Sequence, residues 1–315
     1  MRQRLCSERE FQPARRKKPD LQTRFRRRRD AVRVWDPAPL FAPPAPVFVV
    51  GSVVRDDEER ALENDLAEIP VPEGVRVEPG GRVRLRIINA AADTAFRFAV
   101  GGHPLTVTHS DGFPVQPEQA QCLLIGMGER YDAIITLQDG AFPIVAAAEG
   151  KDGSGFAVLR TGPGAAPQSS VRPAELSAAP VMADQLMSLD TVRLSAREPD
   201  RTYDIALGME MGGYTWTLNG ETYEQHTPLD VREGERVRLR FVNATTMFHP
   251  MHLHGHTFEV VNGAGSGPRK DTSLVLPNQT VEVDFDTDNP GQWLLHCHNL
   301  YHGEAGMMTS VSYLA

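Results

Sequence analysis

The sequence predicts an all-β protein of two β-sandwich domains preceded by an irregular basic arm. Three observations point there. From about residue 70 onward the chain consists of strand-length stretches in which apolar and polar residues alternate, the period-2 pattern of a half-buried strand. One such stretch occurs twice, "VRVEPGGRVRLRIINAA" at 75–91 and "LDVREGERVRLRFVNAT" at 229–245, so one β unit is repeated. In a chain of 315 residues, 27 glycines and 24 prolines against 7% aromatics favour many short strands and turns over long helices.

Composition narrows the function classes. With 41% apolar and 23% charged residues the chain is neither disordered nor membrane-embedded. No stretch approaches the roughly 18 apolar residues of a spanning helix. The net charge of −8 is uneven: residues 1–35 hold 13 of the 33 Lys and Arg against four acids, which leaves −17 on the rest. An acidic body disfavours nucleic acid as a partner, and any such contact would fall to the arm.

Residues 1–69 form that arm. Arg15-Arg16-Lys17-Lys18 and Arg26 to Arg29 precede "DPAPLFAPPAP", and no apolar run follows the arginines, so a secretion signal is not supported. "RDDEERALENDLAE" at 55–68 predicts a short helix. Residues 70–161 are the first sandwich, opening with two strands about a tight turn at Pro79-Gly80-Gly81. Residues 162–199, beginning "GPGAAPQSSVRPAELSAAPV", read as a linker, and 200–315 as the second sandwich.

The repeat extends past its first hairpin. "FAVGGHPLTV" (98–107) lies over "MHLHGHTFEV" (251–260), which aligns His103 with His256. "GAFPIVAAA" (140–148) lies over "GQWLLHCHN" (291–299), so Val145, Ala146 and Ala147 stand where His296, Cys297 and His298 stand. The first copy keeps the scaffold and lacks the ligands, and His103 and His256 read as scaffold residues.

Seven of the ten histidines lie between His249 and His302, a clustering that points to a metal. They fall in His249-Pro-Met-His252-Leu-His254-Gly-His256 and in His296-Cys297-His298-Asn-Leu-Tyr-His302-Gly-Glu304-Ala-Gly-Met307. On a strand, residues i and i+2 share a face and i+1 takes the other. His296 and His298 are thus expected to point one way and Cys297 the other, so one strand feeds two sites. A Cys297 thiolate, the His249 and His302 imidazoles and a weak Met307 thioether make the ligand set of a blue-copper electron-transfer centre. On the other face His252, His254, His296 and His298 can bind further copper.

These two segments resemble the C-terminal copper motifs of the multicopper oxidases, the laccase-like family, in which H-P-x-H-x-H-G-H and H-C-H-x(3)-H-x(4)-M occur together in the last cupredoxin domain. "GERYDAIITL" (128–137) resembles the family's ligand-free middle domain, so the likeness spans about 70–315. It implies two cupredoxin-like Greek-key sandwiches. It also implies type 1 copper on His249, Cys297 and His302 with Met307 axial, type 2 copper on His252, and a type 3 pair on His254, His296 and His298. The implied reaction is one-electron oxidation of a small-molecule donor at type 1 copper, coupled to reduction of dioxygen to water at a trinuclear cluster. The family completes that cluster with two H-x-H motifs from an N-terminal cupredoxin domain. Neither motif occurs here, so a partner chain or segment is expected to supply that wall. Two rival readings are a non-catalytic type 1 electron-transfer protein and a truncated oxidase. The resemblance also implies an extracytoplasmic setting.

The remaining candidates carry weaker signals. Glu304, two residues past His302, is a catalytic candidate that could relay protons to the cluster or orient a donor near type 1 copper. His109 and His226 read as structural or solvated. Cys6 reads as a free thiol and Cys122 as a buried strand residue. Met209, Met211, Met247 and Met251 could suggest a cuprous-ion route but read as packing residues. Met308, Trp216 and Trp293 read as core.

Overall fold

The computed structural model describes residues 47–50, 79–210, 214–263 and 266–314. The basic clusters, Cys6, the helix expected at 55–68 and Met211 lie outside these residues.

Alternation in sequence becomes alternation in burial. In β2 (Arg82–Asn89) Val83, Leu85, Ile87 and Asn89 face inward while the arginines between them face water. Its repeat partner β13 (Arg236–Asn243) buries Val237, Leu239, Phe241 and Asn243 in the same rhythm. Each such aliphatic or aromatic side chain contributes about 1.5–3 kcal/mol on burial. That gain drives each pair of sheets together.

The first domain is a sandwich of two sheets. One has the order β1 (Val47–Val50), β2, β7 (Arg130–Thr136), β4 (Leu105–Ser110) and β5 (Phe113–Ala120). The other has β6 (Leu123–Ile125), β3 (Phe96–Val100), β8 (Ala141–Ala148) and β9 (Ser154–Arg160). Leu85, Ile87, Phe96, Phe98 and Val107 share the core between them.

The second domain repeats the plan. One sheet runs β11 (Trp216–Leu218), β10 (Arg201–Met209), β13, β18 (Thr280–Asp286), β15 (Phe258–Val261) and β16 (Arg269–Lys270). The other runs β12 (Leu229–Val231), β20 (Met308–Tyr313), β19 (Gln292–Cys297), β14 (His249–Leu253) and β17 (Thr272–Val275). The repeat reaches strand register. Phe98 on β3 faces Ala146 on β8, and at the matching place Met251 on β14 faces Cys297 on β19.

Two expectations change. Val47–Val50 falls in the stretch read as an irregular arm, yet it is a strand that pairs in parallel with β2, Val47 opposite Arg86. β10 pairs in the same way with β13 in the second domain. The four residues "VFVV" have strong β propensity, but so short a run is masked by the Pro/Ala-rich sequence before it. The stretch 162–199, read as a linker, is packed over its middle, Leu176 to Ser188, while its two ends are largely exposed. Leu176, Val181, Ala183 and Leu186 are buried, Val181 bridges Leu123, and Ser188 bridges Val115. Its apolar residues follow no period, so periodicity could not find them. No helix among the described residues is long and apolar enough to cross a membrane.

Candidate metal centre

β14 and β19 lie side by side, with Met251 opposite Cys297 and His252 opposite His296. Alternation sends His249, Met251 and Leu253 from β14, and Cys297 from β19, into the core of the second domain. His252, His254, His296 and His298 take the opposite face. The strand logic expected from the sequence therefore produces two sites back to back.

In the inner site His249, Cys297 and His302 are all buried. Sγ of Cys297 lies 3.7 Å from Nδ1 of His249 and 3.8 Å from Nδ1 of His302, and the two Nδ1 atoms are 3.1 Å apart. The centre of the circle through these three atoms is about 2.1 Å from each, within the roughly 2.0–2.3 Å of metal–imidazole and metal–thiolate bonds. A local network fixes the donor atom of His249. The Thr245 hydroxyl donates to Oδ1 of Asn243 at 2.8 Å, which leaves its oxygen to accept from Nε2 of His249 at 2.9 Å, so the lone pair sits on Nδ1.

The electrostatics suit a metal. Burial, with the neighbouring His302 adding to it, pushes His249 down to about 3, and burial pushes His302 down to about 4. Both rings are neutral at pH 7 and offer lone pairs. Burial pushes the Cys297 thiol up, so it loses its proton only to a stronger competitor such as a metal ion. Nε2 of His302 is buried without a hydrogen-bond partner. Met307 is fully buried, and its backbone ties the site together. Its N–H donates to the carbonyl of His302 at 3.0 Å, and its carbonyl accepts from the Cys297 N–H at 3.1 Å.

His302 is carried by the short helix α1 (Leu300–Glu304). Asn299 caps it, with Oδ1 accepting from the N–H groups of Tyr301 and His302. Nδ2 of Asn299 donates to Oδ1 of Asp93 in the first domain at 2.5 Å. Trp216 stacks on the His302 ring, centroids 3.9 Å apart and 27° from parallel, and meets His249 edge-on at 5.1 Å.

The outer site gathers four imidazoles. His252, His254 and His296 can share one ion, and Nε2 of His254 lies 3.0 Å from Nε2 of His296. The His298 ring centroid is 5.7 Å from that of His252 and 5.8 Å from that of His296. Nδ1 of His252 donates to the Asp271 carbonyl at 2.8 Å, and Nδ1 of His296 to the Cys297 carbonyl at 2.8 Å. Each bond places that ring's lone pair on Nε2, toward the cluster. Burial lowers His252 and His298 and takes His296 to about 4, so these rings too are neutral at pH 7.

The other candidates divide. Glu304 is exposed at the end of α1 and lines a 340 Å³ cavity with His296, Cys297, His298, Met308 and Ala90 to Ala92. Met308, expected in the core, is a partly exposed wall of that cavity, because it is the first residue of β20, at the sandwich end beside the cavity. Trp293 is only partly buried, while Trp216 is core but also covers His302. Met251 is core, whereas Met209 and Met247 are exposed. His103 bonds to the Gly101 carbonyl and the Gln138 N–H, and His256 to Tyr313, so both rings are spent within their own domains. His109 bonds to Arg84 and His226 to Ser310. Cys122 is buried, and burial pushes it up to about 11. Sequence reasoning missed Asn299, Thr245 and the His302-covering role of Trp216. Asn299 alone carried a signal, an N-cap residue just ahead of a helix.

Comparison with known proteins agrees with this geometry. Residues 53–164 and 196–314 each match a family model described as multicopper oxidase. The chain is 49% identical over 240 residues to the multicopper oxidase MmcO of Mycobacterium tuberculosis, covering 76% of this chain and 48% of that protein. It is 28% identical to laccase-5 of Trametes villosa, covering 74% and 53%. Among solved structures, Fet3p, a multicopper oxidase that functions in iron import, superposes with a TM-score of 0.66 at 20% identity over 76% of this chain and 56% of that one. The laccase of Botrytis aclada superposes with a TM-score of 0.63 at 25% identity over 75% and 52%. The chain spans about half the length of the curated relatives it matches.

Proposed function

The chain belongs to the multicopper oxidase family, a copper-binding family, and from that premise we propose that it is the ligand-bearing body of a laccase-like oxidase. In this reading it takes single electrons from a small-molecule donor at the Cys297 site and passes them to dioxygen at the imidazole cluster. The remaining imidazoles would come from a partner chain or segment other than the residues of this sequence, all ten of whose histidines are among those described. One observation carries the reading: β19 sends Cys297 into a triangle of metal-ligand dimensions, while His296 beside it and His298 just past the strand's end join His252 and His254 on the other face.

Bound copper would supply a one-electron acceptor at the first site and a dioxygen-reducing centre at the second. The chain's own residues do the rest. His249, Cys297 and His302 would hold the first site, with the Met307 thioether as a further donor. His252 would hold the type 2 ion, and His254, His296 and His298 would hold the type 3 pair. The neutral rings of His249, His252, His296, His298 and His302 need shed no proton on binding metal, whereas Cys297 releases one. The backbone from Cys297 to its flanking histidines is a short covalent path between the sites. In this reading Glu304, which lines one cavity with His296 and His298, delivers protons that dioxygen reduction consumes. An extracytoplasmic setting belongs to the same reading.

A second reading has its own support. The Cys297 triangle is closed, whereas the outer face offers four imidazoles among the described residues and leaves His254 exposed. That arrangement suits a type 1 electron-transfer protein whose second site stays incomplete. Copper counting, absorption, paramagnetic resonance and oxygen uptake with a phenol separate the two. The oxidase reading expects copper beyond one ion per chain, and oxygen uptake once the cluster is completed. One copper, a thiolate band and no uptake under any of these conditions would leave the electron-transfer protein standing.

A further inference from the structure

The domain that carries no ligand reaches directly into the outer shell of the imidazole cluster. Arg130, the first residue of β7, forks onto Asp271, with bonds of 2.6 and 2.7 Å to its two carboxylate oxygens. Asp111, in the turn between β4 and β5, accepts from the Asp271 and Thr272 N–H groups at 3.2 and 3.3 Å. Its other oxygen accepts from the Arg130 N–H at 2.9 Å. The Asp271 peptide is thus gripped at its side chain and its N–H by the first domain. Its carbonyl is the acceptor that orients His252. Thr272 Oγ1 stands 3.0 Å from the same Nδ1 and 2.9 Å from the Asp271 carboxylate.

The grip is not a surface ornament. The Asp111 side chain is wholly buried, as is Lys270, which pairs with Asp111 and Glu129 at 3.3 Å each. Burying several charges generally stabilises a fold no better than apolar packing would, so the retained network calls for a role in geometry. Gly128, two residues before Arg130, adds to the case. It has φ +84°, and a Cβ there would lie 2.8 Å from Cδ2 of His298, so the first domain packs its bare backbone against a second cluster imidazole.

We propose that the ligand-free domain is the positioning element of the imidazole cluster. Arg130 and Asp111 lock the Asp271 peptide, and through its carbonyl the orientation and tautomer of His252, while Gly128 admits the His298 ring. Arg130, Asp111 and Asp271 are positioning residues that touch no metal. The inference rests on the cluster being the copper site proposed above.

The test is Arg130→Lys in the full chain, which keeps the charge and loses the fork. In the metal-free protein, nitrogen NMR of the His252 ring is expected to show the Nδ1–H tautomer in the parent and a mixture in the variant. Copper affinity of the cluster is expected to fall roughly 10- to 100-fold while the thiolate absorption of the Cys297 site is unchanged. An unaltered tautomer together with unaltered cluster affinity overturns the inference. So does parallel loss of both sites, which would mark the network as general scaffolding. Should Arg130→Lys fail to fold, Asp271→Asn keeps the orienting carbonyl and weakens the clamp, with the same expectations at smaller size. A parent chain that shows the Nδ1–H tautomer, loses it in the variant and yet takes no copper at the cluster would uphold the positioning role and sink the oxidase reading.

Discussion

Replacing Asn299 with alanine removes two supports from the Cys297 site at once. Oδ1 of Asn299 accepts from the N–H groups of Tyr301 and His302, and losing such a cap costs about 1 kcal/mol. Its Nδ2 donates to Asp93, a bond to a charged group worth about 1.5–3 kcal/mol. Asp93 is 31% exposed, so water recovers part of that second contribution. The net expectation is a loss of about 2–3 kcal/mol, read in urea on the metal-free protein, with weaker copper retention because His302 rides on the capped turn. Asn299→Asp separates the two supports. It keeps the capping oxygen but sets a second carboxylate against Asp93, and it should be at least as damaging as alanine. The exchange Asp93→Asn with Asn299→Asp restores a donor facing an acceptor. It should recover most of the loss, short of the exposed Lys151–Asp93 pair, worth under about 1 kcal/mol. The reasoning fails if Asn299→Asp alone is as stable as the parent, or if the exchange is no more stable than Asn299→Asp.

Other outcomes follow from the same geometry. Cys297→Ser should abolish the thiolate-to-copper absorption while leaving copper on the imidazole face, and surviving colour would refute the ligand assignment. For pH, unfolded imidazoles titrate near 6.5, whereas folded His249 lies at about 3 and His296 and His302 at about 4. Between those values the unfolded chain binds more protons, so metal-free stability should fall as pH drops from about 6.5 toward 4. The slope should be up to roughly 4 kcal/mol per pH unit for the three rings, with no contribution from them above pH 7. Urea titrations with chelator at several pH values check this, and a flat profile contradicts it. Gly255→Ala would drive a Cβ into the indole of Trp293 at φ +69°, so it should destabilise by more than about 2 kcal/mol and disturb His254. A variant that melts like the parent would refute the close approach. In a preparation that consumes oxygen, Glu304→Gln should lower kcat roughly 10-fold or more with the donor KM unchanged. A shift in KM alone would return Glu304 to a donor-orienting role.

Much of this protein was legible because its chemistry is strand chemistry. Alternation is local, so "HCH" on one strand and "HPMHLH" on its neighbour already assign each side chain to a face. The repeat, likewise, shows which copy lacks ligands. Val47–Val50 and the packed stretch 162–199 were hidden because a four-residue strand and an aperiodic strap leave no periodic trace. The roles of Thr245 and Trp216, and the bond of Asn299 to the first domain, were hidden for another reason. The partners of these residues, His249, His302 and Asp93, are set by loop geometry and domain docking, and no spacing rule encodes either.

By itself the sequence determined the all-β plan, the duplication and the division of its ligands between two faces, since each follows from spacing along one strand. Only the tertiary structure decided that Arg130 and Asp111 grip the peptide that orients His252, and that Glu304 lines one cavity with His296 and His298. Those contacts join residues more than a hundred positions apart, or turn on which way a helix end faces, and only the packing of the two sandwiches fixes them.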